Sequence, residues 1–205
     1  MEDKLLQSIK EYLVRKHNCH SIILYGSFAS GDYTEESDID LLCFCEDPIE
    51  ENDTSILDNR SLDAWIYKTE KMKDYDQFLQ VAGGKVLIDK RNKCIEFLEN
   101  VEKRFKNGPV KMTSNEKEFY KRWLQKMLHR SRKGDVEGNY RYHWMLNDSL
   151  EIYFNIKDRW YLGPKKSLNW LMANDCEAFE LFHNALKTDA NIGEVEKLIE
   201  FIIES

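Results

Sequence analysis

The segment 21–44, SIILYGSFASGDYTEESDIDLLCF, constrains this chain more than any other part of it. Its apolar run 22–25 is short, rich in β-branched residues and followed by a glycine, which is typical of a buried strand. Gly26-Ser27 stands where that strand must turn, and a polar loop then leads to Asp38-Ile39-Asp40. Because alternate side chains of a strand share a face, we expect Asp38 and Asp40 to project together from the start of a second strand.

This combination of a turn and two carboxylates predicts a site for phosphate and metal. Neighbouring carboxylates repel each other unless a positive group lies between them. Oxygen ligands of this kind suit a divalent cation, usually Mg²⁺. The Gly26-Ser27 turn can present backbone N–H groups and a hydroxyl to phosphate, because glycine lets the backbone approach closely. Either half of the pattern alone is common in ordinary turns, so the signal lies in their order.

A third aspartate strengthens this prediction. Asp63 lies between Leu62 and Ala64 in the alternating segment 61–67, which the pattern predicts to be a strand. Aspartate is unfavourable in strands, and burying a lone carboxylate is costly. If this strand pairs beside that of Asp38 and Asp40, three carboxylates can surround one or two metal ions. The alternative is that Asp63 lies at a strand end or on a solvent face.

Composition excludes several classes of protein. The 205 residues are 42% hydrophobic and 33% charged, and no apolar run approaches the ~20 residues needed to span a bilayer. The charged, amphipathic first segment does not resemble a secretory signal. Five cysteines without CxxC spacing indicate reduced thiols and a cytoplasmic location. The five histidines lack zinc-ligand spacing. A net charge of −7 disfavours nonspecific nucleic-acid binding.

Periodicity divides the chain into two halves at Asn107-Gly108-Pro109. We predict a catalytic domain over 1–107 and a helical domain, which binds the acceptor, over 108–205. The first half is predicted to contain strands over 22–25, 38–45, 61–67 and 85–89, helices over 2–16, 71–81 and 92–105, a short helix from 27–29 and an exposed loop over 46–59. The second is predicted to contain helices over 114–133, 140–157, 165–173, 176–186 and 192–203. The expected fold class is α/β (α+β), a short mixed sheet with flanking helices followed by an all-helical domain.

The ordered motif resembles that of the nucleotidyltransferase superfamily typified by DNA polymerase beta. The motif of that family is hG[GS], then [DE]h[DE], then a third acidic residue on a later strand. The corresponding positions here are Tyr25-Gly26-Ser27, Asp38-Ile39-Asp40 and Asp63, and the resemblance covers 21–67 well and the neighbouring helices loosely.

The resemblance implies a nucleotidyltransferase core and a reaction. Gly26 and Ser27 would hold the β- and γ-phosphates of an NTP, with ATP the expected co-substrate. Asp38 and Asp40 would bind one or two Mg²⁺ ions, and Asp63 would complete the metal site or assist the hydroxyl nucleophile. A nucleoside monophosphate would pass to a hydroxyl group, and pyrophosphate would be released.

The helical half is similar to that of small-molecule members such as the aminoglycoside and lincosamide nucleotidyltransferases. That similarity implies antibiotic resistance as a role. In such enzymes an acid from the helical half can act as general base, for which Asp148 and Glu151 are candidates. Lys165 and Lys166 follow Gly163-Pro164 and could reach nucleotide phosphates as point charges. Ordinary solvated helix acids and a plain surface lysine pair are the alternatives.

Two other functions stay open on the sequence. One is nucleotidyl transfer to a protein or RNA, as in minimal antitoxin-like nucleotidyltransferases, which are usually shorter and lack a long helical half. The other is a non-catalytic nucleotide-binding module, although degenerate members usually lose an acidic ligand and all three acids are present here. The expected partners are an NTP and a small acceptor with a hydroxyl group, with no membrane. The oligomeric state is left open, a dimer included.

Overall fold

A mixed β-sheet forms the centre of the first half of the chain. The computed structural model describes residues 2–205, with only the backbone of Glu2. The strands are β1 (Ser21–Leu24), β2 (Ile39–Cys45), β3 (Asn52–Asp53), β4 (Ile56–Leu57), β5 (Arg60–Lys68) and β6 (Lys85–Asp89). Their order is β3-β5-β2-β1-β6, with β4 also paired to β5. The β2–β5 pair is parallel and the other pairs are antiparallel, so the predicted short mixed sheet is confirmed.

The two faces of this sheet are covered by different elements. The helices of this half are α1 (Glu2–His17), α2 (Gly26–Ser30) and α3 (Cys94–Lys106), and 3₁₀ segments span Thr69–Lys73 and Tyr75–Val81. On one face, Ile9 and Leu13 of α1 pack with residues of β1, β2 and β5 that include Leu41. On the other face, Phe44 packs with Phe97 of α3 and with the 3₁₀ segments. Burial of apolar side chains on both faces fixes the register of β2, since a slip by one residue would exchange its faces.

Two predictions for this half are wrong. The α-helix predicted over 71–81 is a pair of 3₁₀ segments separated at Asp74, and Phe78 has non-helical backbone angles. Phe78 is fully buried and packs edge-on against Phe44, so tertiary packing overrides the helical pattern. The loop predicted over 46–59 contains β3 and β4, and its Asp53 is buried.

The second half is helical, as predicted. Its helices are α4 (Ser114–Ser131), α5 (Val136–Ile156), α6 (Pro164–Asn174), α7 (Cys176–Ala185) and α8 (Ile192–Glu204). Helix α4 begins with a capping box in which Thr113 and Glu116 satisfy each other's backbone N–H groups. Helix α5 begins four residues earlier than predicted, because Asp135 accepts a hydrogen bond of 2.7 Å from the backbone N–H of Gly138.

The chain divides into two compact units. Unit 1 is Met1–Asn107 and unit 2 is Gly108–Ser205. The catalytic and acceptor-binding roles predicted for them stay predictions. Across residues 2–205, no helix has both the length and the apolar character that crossing a bilayer requires.

Candidate active site

Two of the three predicted aspartates lie side by side at one end of the sheet in unit 1. Asp40 of β2 is the direct partner of Asp63 in the register of the parallel strand β5. Their sequence neighbours, Leu41 and Ala64 among them, pack on the α1 face, so both aspartates project from the opposite face. Both side chains are partly buried, whereas Asp38 is exposed and directly precedes β2.

Gly26 brings the turn after β1 against Asp40. A Cβ atom added to Gly26 would lie 2.0 Å from Oδ2 of Asp40 and 2.7 Å from its Cγ. Gly26 also has a φ of +65°, a conformation that residues with a Cβ rarely adopt. The backbone N–H of Tyr25 donates to the carbonyl oxygen of Asp40 at 3.1 Å. Position 26 therefore accepts only glycine unless its surroundings rearrange. Ser27 follows in the first turn of α2.

The negative charge of the two carboxylates acts on a neighbouring phenol. Burial raises the pKa of Tyr25, and the charges of Asp40 and Asp63 raise it further. A tyrosinate would be disfavoured beside two carboxylates, whereas a cation would be favoured there. Carboxylate oxygens from adjacent strands are the hard ligands that Mg²⁺ prefers, so the residues present fit a divalent metal ion.

Asn52 is a site residue that the sequence reasoning missed. Its side-chain Nδ2 donates to Oδ1 of Asp63 at 2.7 Å. In the register of β3 and β5, Asn52 is the partner of Trp65, which shares the face of Asp63. A strand of two polar residues gives no hydrophobic alternation, so the sequence carried no signal for this contact.

The segment before Asp38 is held by contacts with α2 and β5. The rings of Phe28 and Tyr33 stack with centroids 4.1 Å apart and an interplanar angle of 4°. The guanidinium of Arg60 lies 5.7 Å from the centroid of the Phe28 ring and donates to the carbonyl oxygen of Thr34 at 2.8 Å. These contacts fix the approach of the chain to Asp38.

A second acidic group lies on the α1 face of the same sheet. Within residues 2–205, the group of three His, Cys, Asp or Glu side chains with ligand atoms all within 4.8 Å of one another is His17, Glu50 and Asp53. Asp38, Asp40 and Asp63 are spread more widely than that. The histidines lack ligand spacing in the sequence, yet His17 belongs to this group. The fold brings α1 next to the β3 region, and spacing along the chain does not show that contact.

An ammonium group already occupies this second cluster. Nζ of Lys16 lies 2.7 Å from Oε1 of Glu50 and 3.0 Å from Oδ2 of Asp53, and Nε2 of His17 lies 2.7 Å from the same Oδ2. Burial alone would raise the pKa of Asp53, but hydrogen bonds from Ser55, His17 and Lys16 hold it well below its usual value. The cluster is therefore an internal ion-pair network, in which Lys16 provides the positive charge that a metal would otherwise supply.

The predicted residues of unit 2 lie on α5 and α6. Asp148 is partly buried, and its Oδ2 accepts a hydrogen bond of 2.7 Å from Nε1 of Trp144. Glu151 is exposed one turn later. Lys165 and Lys166 are exposed in the first turn of α6, after its Pro164. The roles assigned to these four residues stay predictions.

Comparison with known proteins identifies the family. No curated protein matches the sequence significantly. A crystal structure of a nucleotidyltransferase-like protein from Exiguobacterium sibiricum 255-15 is similar at 14% identity and a TM-score of 0.45, over 100% of this chain and 75% of that chain. The family model described as "Nucleotidyltransferase domain" matches residues 6–123, more than half of the chain. The chain therefore belongs to the nucleotidyltransferase domain family.

Proposed function

We propose that this chain transfers a nucleoside monophosphate from a Mg²⁺-bound NTP to a hydroxyl of a small molecule, with release of pyrophosphate. Membership of the family supports nucleotidyl transfer in general. The observation that carries the proposal is the pairing of Asp40 with Asp63 across β2 and β5, with the Gly26 turn against Asp40.

In this proposal Asp38, Asp40 and Asp63 hold one or two Mg²⁺ ions. Their oxygen donors suit that ion, and the charge that raises the pKa of Tyr25 favours a cation beside them. When bound, Mg²⁺ would neutralise phosphate charge and lower the pKa of the acceptor hydroxyl.

The turn and the helical half would contribute further contacts to the nucleotide and acceptor. Gly26 allows the turn backbone to approach the β- and γ-phosphates, and the hydroxyl of Ser27 would hydrogen-bond to them. Lys165 and Lys166 would add positive charge to the triphosphate. Asp148 or Glu151 would accept the proton of the acceptor hydroxyl as general base. ATP is the proposed nucleotide.

For the acceptor we propose a small molecule related to aminoglycoside or lincosamide antibiotics, which would make resistance the biological role. The net charge of −7 is compatible with a cationic acceptor and disfavours RNA. We place the protein in the cytoplasm, because its five cysteines are all free and four of them are buried.

The proposal is tested by incubating the protein with each labelled NTP, Mg²⁺ and panels of aminoglycosides, lincosamides, protein extracts and RNA. We expect a labelled small molecule and stoichiometric pyrophosphate, both dependent on Mg²⁺. Asp38→Asn and Asp40→Asn should abolish transfer, and unchanged turnover in either variant would contradict the metal assignment.

The same experiment separates the alternatives. A labelled macromolecule without a labelled small molecule would replace the preferred acceptor with a protein or RNA. NTP binding without pyrophosphate release in any panel would favour a non-catalytic nucleotide-binding module.

A further inference from the structure

Unit 2 contains a small pocket between α4 and α5. Its volume is about 290 Å³, and its lining residues come from these two helices alone. On α5 the lining positions 144, 148, 151, 152 and 155 recur at helical spacing, so they form one stripe along the helix. Phe119, Tyr120 and Trp123 of α4 face that stripe. The pocket is thus built by a single helical hairpin and does not depend on the placement of unit 1.

The walls of the pocket are aromatic. The rings of Trp123 and Trp144 meet edge to face, with centroids 5.7 Å apart and an interplanar angle of 72°. Phe119 is 63% exposed and Trp144 is 40% exposed, so large apolar rings are open to solvent at this point. The hydrogen bond from Nε1 of Trp144 to Asp148 fixes the orientation of the indole. The guanidinium of Arg141 lies 5.5 Å from the centroid of the Trp144 ring, and its charge is paired with Glu137 at 3.2 Å. The indole therefore already accepts one internal cation–π contact, and its exposed surface and Trp123 are what a ligand can reach.

The same pocket carries negative charge. Asp148 and Glu151 both line it. Besides burial, the charges of Glu151 and Asp148 raise the pKa of Tyr161, so their negative field extends beyond their own helix. Aromatic faces attract cations through their quadrupole, and nearby carboxylates add to that attraction. Neutral and anionic ligands would lack one or both of these interactions.

We propose that this pocket binds a small organic ammonium ion. The cationic head would lie against Trp123 and the exposed surface of Trp144 with Glu151 as its counter-ion, and the apolar part of the ligand would contact Phe119. Asp148 holds the indole of Trp144 in place through the hydrogen bond already described. Because Asp148 and Glu151 are also the general-base candidates, this inference rests on the acceptor role proposed for unit 2. Binding is measured without NTP or Mg²⁺, so its failure is distinguishable from a failure of nucleotidyl transfer.

The test compares choline with its neutral isostere 3,3-dimethyl-1-butanol, in which carbon replaces the quaternary nitrogen. Titration of the 205-residue chain, without NTP or Mg²⁺, is followed by tryptophan fluorescence and by calorimetry. We expect choline to bind at least about fivefold more tightly than the isostere, which is the range of a partly exposed cation–π contact. Raising the salt concentration should weaken the binding of choline and leave that of the isostere unchanged.

Three variants locate the site. Trp144→Leu should weaken choline binding about tenfold, and Glu151→Gln should weaken choline but not the isostere. Glu180→Gln removes the same charge from an exposed position of α7 and should change neither. Circular dichroism confirms that each variant is folded. Equal affinities for choline and its isostere, or equal weakening by Glu151→Gln and Glu180→Gln, would overturn the proposal.

Discussion

The two faces of the sheet in unit 1 each carry a carboxylate cluster, and the clusters differ in how their charge is balanced. On the α1 face, Asp53 lies within 3.0 Å of Lys16 and His17. On the opposite face, Asp63 accepts a hydrogen bond from the neutral amide of Asn52, and the charge of Asp40 and Asp63 acts on Tyr25. The first cluster contains Lys16 and His17 as partners, whereas the second presents two carboxylates from adjacent strands, whose oxygens are ligands that Mg²⁺ prefers.

This difference gives the two clusters different expected responses to mutation. A paired lysine or histidine compensates the charge of a buried carboxylate, and removing one partner destabilises the fold because it leaves an uncompensated charge. Two adjacent carboxylates at a strand end repel each other instead, which costs stability and persists where a ligand or metal ion compensates for it. Proximity of ligand atoms alone selects the α1-face cluster, since among the described residues it is His17, Glu50 and Asp53 whose ligand atoms lie within 4.8 Å of one another.

The largest expected effect is on nucleotidyl transfer. Asp40→Asn and Asp63→Asn each remove a metal-ligating charge, and we expect transfer to fall on the order of 1,000-fold. The melting temperature should stay the same or rise slightly, because the repulsion between the two carboxylates is relieved. Pyrophosphate release and thermal unfolding of the same preparations measure both quantities.

Asp53→Asn is the matched control on the other face. Transfer by the folded fraction of this variant should stay within about twofold of the wild type, because its carboxylate points away from the site. Comparable losses of transfer in Asp53→Asn and Asp40→Asn, at equal folded fractions, would contradict the division between the faces.

Asp53→Asn should instead reduce stability. We expect the free energy of unfolding at pH 7 to fall by about 2–4 kcal/mol. This is slightly less than the loss expected for a fully buried ion pair, because Lys16 and Glu50 are partly exposed. Urea titrations measure it, and Glu50→Gln should cost less because Glu50 is the more exposed acid.

The dependence on pH follows from the pKa of Asp53, which is lower in the folded state than in the unfolded chain. Its stabilising contribution is therefore complete above the unfolded pKa and is lost as the pH falls toward the folded pKa. The difference in unfolding free energy between wild type and Asp53→Asn should be constant above about pH 5 and shrink below about pH 4. A difference that grows on acidification would contradict this assignment.

Gly26→Ala tests the contact between the turn and Asp40. The added Cβ would overlap Oδ2 of Asp40 in a backbone conformation that alanine adopts at a cost, so we expect a loss of about 1–3 kcal/mol in unfolding free energy. Transfer should fall as well, because Asp40 must move. Gly31→Ala is the control: its φ is +87°, but the added Cβ would meet nothing within 4 Å. Equal effects of the two substitutions would show that backbone strain, and not the contact with Asp40, is responsible.

The parts of the fold that the sequence predicted are those with a clear hydrophobic period. Strands β1, β2 and β5 and helix α1 bury one or both faces, and their alternation specified which side of β2 carries Asp40. The turn at Gly26 was predictable because glycine is the residue type that readily adopts the backbone conformation found there. The sequence allowed β2 to pair with β5 but did not specify it, since the hydrophobic pattern of a strand does not determine which strand lies beside it.

The parts that escaped prediction depend on tertiary contacts. Segment 46–59 is polar, and β3 within it is only two residues long, so its pairing with β5 left no periodic signal. The 3₁₀ segments read as an α-helix because their apolar spacing is helical, and only the packing of Phe78 excludes that conformation. Both misses have the same cause: short elements are determined by what they pack against.

The smallest expected effect is that of replacing Asn52 in β3, the strand that contributes a residue to each cluster. Asn52 and Asp53 are adjacent in β3 and point to opposite sides of the sheet, so Asn52 contacts Asp63 while Asp53 contacts Lys16. Asn52→Ala should lower kcat about three- to tenfold with little change in KM, because loss of one hydrogen bond lets the Asp63 carboxylate rotate without removing its charge. Asn52→Gln, whose longer amide can also donate, should recover part of the loss, whereas a purely structural role would give equal losses for Ala and Gln.

Asn52→Ala should also leave the acid dependence of unfolding unchanged, since it does not touch Asp53. If that dependence moved with kcat, the ion-pair network on the α1 face would be coupled to the site through β3, and the two clusters would be one functional unit rather than two.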